Sequence, residues 1–243
     1  MAVVSHELKL IYFDVPKVAC TTLKTQLYEL AHGPLVAPFQ PTLKDRARAA
    51  LGRPRPRYKG PSVHYRDGYR TLSYTRALRE QDLPSDYARI AVVRDPIARF
   101  YSAWANKANE ADFARRDELE DLRNEGLSTA PDFQQYLEAF EVYRTHSRPV
   151  RVHNQPYSWH LGPSASDFDK IFQIEDMSRL EAWLCERHGE PITLKKSNLS
   201  ERKQKAVALE DSQKAKLLAL THEDYRWLGD LYDAQAGLEG LTG

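Results

Sequence analysis

The chain has 243 residues, 42% of them hydrophobic and 28% charged, enough to bury one α/β core and outside the range of a disordered protein. Lys plus Arg number 35 against 34 Asp plus Glu, so net charge singles out no polyionic partner. Two cysteines, Cys20 and Cys185, exclude a disulfide framework and fit a reducing compartment. No apolar run approaches the ~20 residues of a membrane span, and the N-terminus lacks the pattern of a secretory signal. One soluble, cytoplasmic domain over residues 1–243 is expected.

The predicted elements begin with a buried strand at Leu8–Phe13, a short loop to Cys20, and a helix over Thr21–His32 with Leu23, Leu27 and Leu30 at helical spacing. Residues 34–61 are irregular and rich in Pro and Arg, with a short helix expected at 43–51 and another at 68–80. From Pro41 to Glu80 there are eleven Lys/Arg against three acids, whereas Glu110 to Glu125 holds seven acids against three Arg. The basic stretch suits an anionic ligand or a solvated loop equally well.

Ala88–Val93 reads as a second buried strand. Asp95 is a good N-cap and Pro96 suits the first helical position, so a helix is predicted from there past Ala111. Gly126–Pro131 breaks the chain and Asp132–Phe140 resumes a helix. Asp169–Ile174 is a third predicted strand, Asp176–His188 an amphipathic helix with Met177, Leu180, Leu184 and Cys185 inward, and Ile192–Leu194 a short fourth strand. The remainder is helical to Ala236, with a frayed tail at 237–243. Strands alternating with helices imply an α/β fold: a mostly parallel central sheet flanked by helices, with ligands at the carboxyl ends of the strands.

Two of those strand ends carry unusual chemistry. After Phe13 comes Pro16-Lys17-Val18-Ala19-Cys20-Thr21-Thr22, between a strand and a helix N-terminus, where unpaired amides and the helix dipole favour an anion. Thr21 and Thr22 add hydroxyls and Lys17 a full charge. The loop has no glycine, so the G-x-x-x-x-G-K-[ST] cradle of a nucleoside triphosphate is absent. After Val93 comes Arg94, whose guanidinium fork suits a phosphate, with Ser102 eight residues on along the next helix. The alternatives are a plain turn with Lys17 in solvent, and an Arg94-Asp95 pair that only caps its helix. Two remote anion elements suit a ligand with two separated anionic groups. His146, His153 and His160 recur every seven residues, the wrong step for adjacent ligands on one helix face, and no metal site is expected.

Together the two segments resemble the nucleotide-binding motifs of the sulfotransferases, most closely the carbohydrate branch that includes the chondroitin, dermatan and HNK-1 enzymes. Pro16–Thr21 is similar to that branch's 5′-phosphosulfate loop. Val93-Arg94-Asp95-Pro96 with Arg99, Ser102, Ala103 and Lys107 is similar to its 3′-phosphate motif, and the 77 positions from Lys17 to Arg94 fit its spacing. Val152–Tyr157 resembles a His/Gln/Pro segment of the family and Phe168–Met177 its late strand and helix. The chain departs at Thr22-Leu23, where the family often has Asn or Ser followed by Trp. It also departs in residues 34–80, which match no family segment and are expected to be an acceptor-side insertion, and in lacking the membrane anchor of Golgi members.

The resemblance implies a P-loop-NTPase-like sulfotransferase fold and 3′-phosphoadenosine 5′-phosphosulfate (PAPS) as donor, with adenosine 3′,5′-bisphosphate as product and no metal. Lys17 would stabilise the bridging oxygen, while Val18, Ala19, Cys20, Thr21 and Thr22 hold the 5′-phosphosulfate and Arg94 and Ser102 the 3′-phosphate. His64 is the candidate base, with His153 the runner-up. His64, Arg66 and His153 would meet an acceptor hydroxyl on a saccharide or glycolipid, and no nucleic acid is expected as partner. Two readings stay open beside this one: a P-loop-type kinase, and a non-catalytic binder of an anionic ligand such as RNA or a glycan through the basic 41–80 stretch.

Overall fold

A computed structural model of the chain describes residues 2–32, 71–72, 86–107, 116–194 and 206–243. Among these residues the sheet has five strands, β1 (Ala2–Ser5), β2 (Leu10–Phe13), β3 (Thr71–Leu72), β4 (Ala88–Val93) and β5 (Lys170–Gln173), in the order β3-β1-β2-β4-β5. β2, β4 and β5 pair in parallel, while β1 pairs antiparallel with both β2 and β3, so four of the five strands run the same way. Every residue of β2, and all but one of β4, is buried, as expected of central strands in a covered parallel sheet.

Helix α1 (Cys20–His32) follows β2, and α2 (Pro96–Lys107) follows β4. Then come α3 (Arg116–Asn124), α4 (Phe133–Glu138), α5 (Phe140–His146), α6 (Arg148–His153) and α7 (Tyr157–Leu161). After β5 come α8 (Met177–His188), α9 (Asp211–Leu228) and α10 (Ala234–Thr242). Among the described residues no helix is long and apolar enough to cross a membrane.

Two apolar cores result. One lies on the sheet, where Leu10, Ile11, Ile90 and Val92 pack with Leu180 and Leu184 of α8. The other lies among the helices, where Ile97 and Phe100 of α2 meet Phe133, Tyr136 and Phe140. Phe100 sets its ring edge-on to Phe140 at 5.0 Å, a favoured aromatic geometry. α2 thus starts at the sheet edge and roots in the second core, which makes it a stiff mount for whatever its N-terminus carries.

Several expectations change in the structure. The first predicted strand loses Leu8 and Lys9 to a turn, where Lys9 takes a left-handed φ of 47°, because Ala2–Ser5 adds a hairpin partner too short to register in the sequence. Thr71–Leu72, inside a predicted helix, pairs with β1 instead. Ile192–Leu194 is not a strand; the Cys185 thiol accepts from the Ile192 N–H at 3.0 Å and holds the segment without a ladder. The predicted frayed tail is helical through Thr242. Leu238 and Leu241 are buried, and burial of that apolar face outweighs the two glycines of the helix.

Candidate active site

The loop after β2 is built from strain and burial. Val15 and Val18 are fully buried and pin it to the core. Between and after them, Lys17 and Ala19 adopt left-handed backbone, with φ of 72° and 57°. That conformation costs a non-glycine residue roughly 1–2 kcal/mol, and such strain concentrates at functional sites. It is also the backbone device by which successive N–H groups converge on an anion. α1 starts at Cys20, so the first-turn amides, which have no acceptor within the helix, lie at the same point.

Side chains sort themselves by exposure. Lys17, Ala19 and Cys20 are half-buried, Thr21 is exposed and Thr22 is buried. With its side chain in the core, Val18 can offer a ligand only its amide. Burial pushes the Cys20 thiol up, so it stays protonated at neutral pH.

The second loop leaves the neighbouring parallel strand. Phe13 pairs with Ala91, and Val93 with Gln173, so the Lys17 and Arg94 turns emerge at the same edge from strands about 5 Å apart. Arg94 is half-buried. Asp95 caps α2, its Oδ1 accepting from the Ala98 N–H at 2.8 Å and its Oδ2 from the Tyr225 hydroxyl at 2.6 Å. Burial raises the Asp95 carboxyl above its usual range. Ser102 is half-buried on the same helix, nearly two turns from its start.

The two candidate turns therefore stand side by side at the carboxyl edge of the sheet. The Sulfotransferase family profile matches residues 1–232, which takes in both turns and all five strands. The chain belongs to the sulfotransferase family. Neither a curated protein nor a solved structure matches it. Its chemistry is accordingly sulfuryl transfer.

Beneath the surface of this sulfotransferase lie polar residues whose roles the sequence does not announce. Lys24, 1% exposed, donates to Asp14 Oδ2 at 2.6 Å, bridging the start of the first loop to the second turn of α1. Burial works to raise the Asp14 carboxyl, but nearby positive charge, Lys24 included, outweighs it and holds the group below its ordinary value. Arg99, of the family-like motif, points away from solvent. Its Nη2 donates to Asp224 Oδ2 at 2.6 Å and to the Gln155 carbonyl at 2.9 Å, and its buried Nε and Nη1 have no hydrogen-bond partner among the described residues. Burial disfavours its charge, yet Asp224 raises its pKa further.

Of the histidines, His153 ends α6 half-buried, with Nδ1 2.7 Å from the Pro149 carbonyl. A carbonyl only accepts, so Nδ1 carries the proton and Nε2 is the basic nitrogen. His160 is buried, its Nε2 has no hydrogen-bond partner among the described residues, and burial and then the Arg99 guanidinium push it down to about 3. It is neutral in the folded protein. His64 and Arg66 lie outside the described residues. A groove between the second half of α1, at Gln26 and Leu30, and the segment Pro191–Leu194 is lined by neither candidate turn.

Proposed function

We propose that this protein transfers the sulfuryl group of PAPS to a hydroxyl on a carbohydrate or glycolipid, in the cytoplasm. The observation that carries the reading is the pair of anion turns leaving adjacent parallel strands, one strained and lysine-bearing, the other capped and arginine-bearing. The residues fit such a donor: left-handed backbone at Lys17 and Ala19 and the first turn of α1 suit a phosphosulfate, and Arg94 at the head of α2 suits a second phosphate. Two free cysteines fit the reducing compartment.

The donor supplies an activated sulfuryl group on a nucleotide leaving group; positioning and charge stabilisation do the rest, as in phosphoryl transfer. In this reading Lys17 neutralises the bridging oxygen, the amides of Val18, Ala19 and Cys20 with Thr21 and Thr22 hold the 5′ end, and Arg94 and Ser102 hold the 3′-phosphate. His64 takes the acceptor proton, with His153 Nε2 the second candidate. His64, Arg66 and His153 form the acceptor side.

Calorimetry with adenosine 3′,5′-bisphosphate tests the donor site. Lys17→Ala and Arg94→Ala should each weaken binding by on the order of 100-fold, the loss of a charge-assisted contact. Unchanged affinity in both, or stabilisation of the protein by ATP with magnesium but not by the bisphosphate, overturns the reading. Labelled-sulfate transfer across saccharide, lipid and phenol acceptors then separates acceptor classes.

A further inference from the structure

β4 and β5 end together, because Val93 pairs with Gln173 as the last rung of their ladder. Arg94 is one residue beyond it and has no strand partner among the described residues. A side chain takes that place. The Tyr157 hydroxyl accepts from the Arg94 N–H at 2.9 Å and donates to the Arg94 carbonyl at 2.8 Å. A phenol has one proton and accepting lone pairs, so both bonds form at once. Tyr157 therefore does for Arg94 what a neighbouring strand would do, holding its backbone extended past the edge of the sheet.

Tyr157 is itself locked. Its ring is fully buried, with Trp227 stacked on it at 5.8 Å and the Arg99 guanidinium 4.6 Å from its centroid. Its backbone N–H donates to Asp224 Oδ1 at 2.7 Å, while the other oxygen of the same carboxylate takes Arg99. A buried ion pair adds little net stability, since desolvation offsets most of the attraction. What this one adds is orientation: one carboxylate fixes the tyrosine's main chain and the cation packed on its ring.

We infer that Tyr157, keyed by the Arg99–Asp224 pair, is a positioning residue for Arg94, and that it sets affinity for a phosphate at the ribose 3′ position rather than for the nucleotide as a whole. The inference rests on the donor reading above. Tyr157→Phe removes the hydroxyl and keeps the ring under Arg99. Calorimetry should show a loss of roughly tenfold for adenosine 3′,5′-bisphosphate, the worth of about one net hydrogen bond. Affinity for adenosine 5′-monophosphate, which lacks the 3′-phosphate, should stay within about twofold. The donor KM should rise with kcat unchanged.

Equal losses for both nucleotides, or no loss for the bisphosphate, overturn the positioning role. If the unaltered protein binds the two nucleotides equally, the donor reading falls first and the inference falls with it. Should Tyr157→Phe fail to fold, hydrogen exchange in the unaltered protein decides. The Arg94 amide should be as protected as those of β4, and exchange at the rate of an exposed loop overturns the inference.

Discussion

The two turns at the carboxyl edge of the sheet are held by opposite means. The Lys17 turn is braced by two left-handed residues, two buried valines and an ion pair, all drawn from the segment between Asp14 and Lys24. The Arg94 turn is held from outside, by Tyr157 on its backbone and Tyr225 on its cap residue, 63 and 130 positions away in sequence. One turn stores its geometry as local strain, and the other borrows it from packed helices. A substitution near the first should therefore act locally, whereas remote substitutions should reach the second.

The largest test of the contrast is Lys24→Met, which takes the buried lysine partner away from Asp14. Breaking a buried pair this way costs about 3–5 kcal/mol, read by urea denaturation at pH 7. A cost below about 1 kcal/mol would show that the pair does not hold the first turn. For the second turn the matching remote test is Gly237→Ala on α10. A Cβ there falls onto the Tyr225 hydroxyl and within 2.6 Å of Asp95 Oδ2, so α10 must back away. Overpacking of this kind costs about 2 kcal/mol, and α2 should lose amide protection at its N-terminus. Unchanged stability would mean α10 does not brace the cap.

His160 links the two regions, since its protonation is disfavoured by Arg99 and favoured by Asp14, with burial the larger effect. Its folded-state pKa near 3 lies below the ordinary 6.5, so the unfolded chain takes up the proton first as the pH falls. The stability it contributes is complete above pH 6.5 and drains away toward pH 3. By pH 5 the loss reaches about 2 kcal/mol. His160→Phe should therefore gain on the unaltered protein by up to that amount between pH 7 and pH 5; parallel stability curves would refute it.

The smallest effect belongs to Ala19→Gly, which relieves a left-handed residue. Stability should rise by about 1 kcal/mol, the strain less the extra freedom of an unfolded glycine. A loss instead would mean that the turn is not strained at that residue.

Much of the architecture was legible locally. Ala88–Val93 matches its predicted strand, and α8 is one residue shorter than predicted, because a short, mostly apolar run and leucines at helical spacing leave little choice. The strand-turn-helix setting of both loops was legible as well, through Lys17 before a helix and Arg94-Asp95-Pro96 after a strand. Two-residue and four-residue edge strands were not, since short segments owe their conformation to a partner. Nor were the supports. Arg99 sits inside the second motif and Lys24 just beyond the first, but no local pattern says that either is buried, and Asp224 and Tyr225 carry no local signal at all.

From sequence alone follow the identity of the charged groups, the strand-turn-helix setting of each, and membership of the sulfotransferase family, all of which depend on neighbours within a few residues. Tertiary structure alone decided that β2 and β4 lie side by side, that Lys24 pairs inward with Asp14, and that Tyr157 takes a strand's place beside Arg94. Those are contacts between distant segments, fixed by which faces bury together and which buried polar atoms find partners, and no local pattern encodes them.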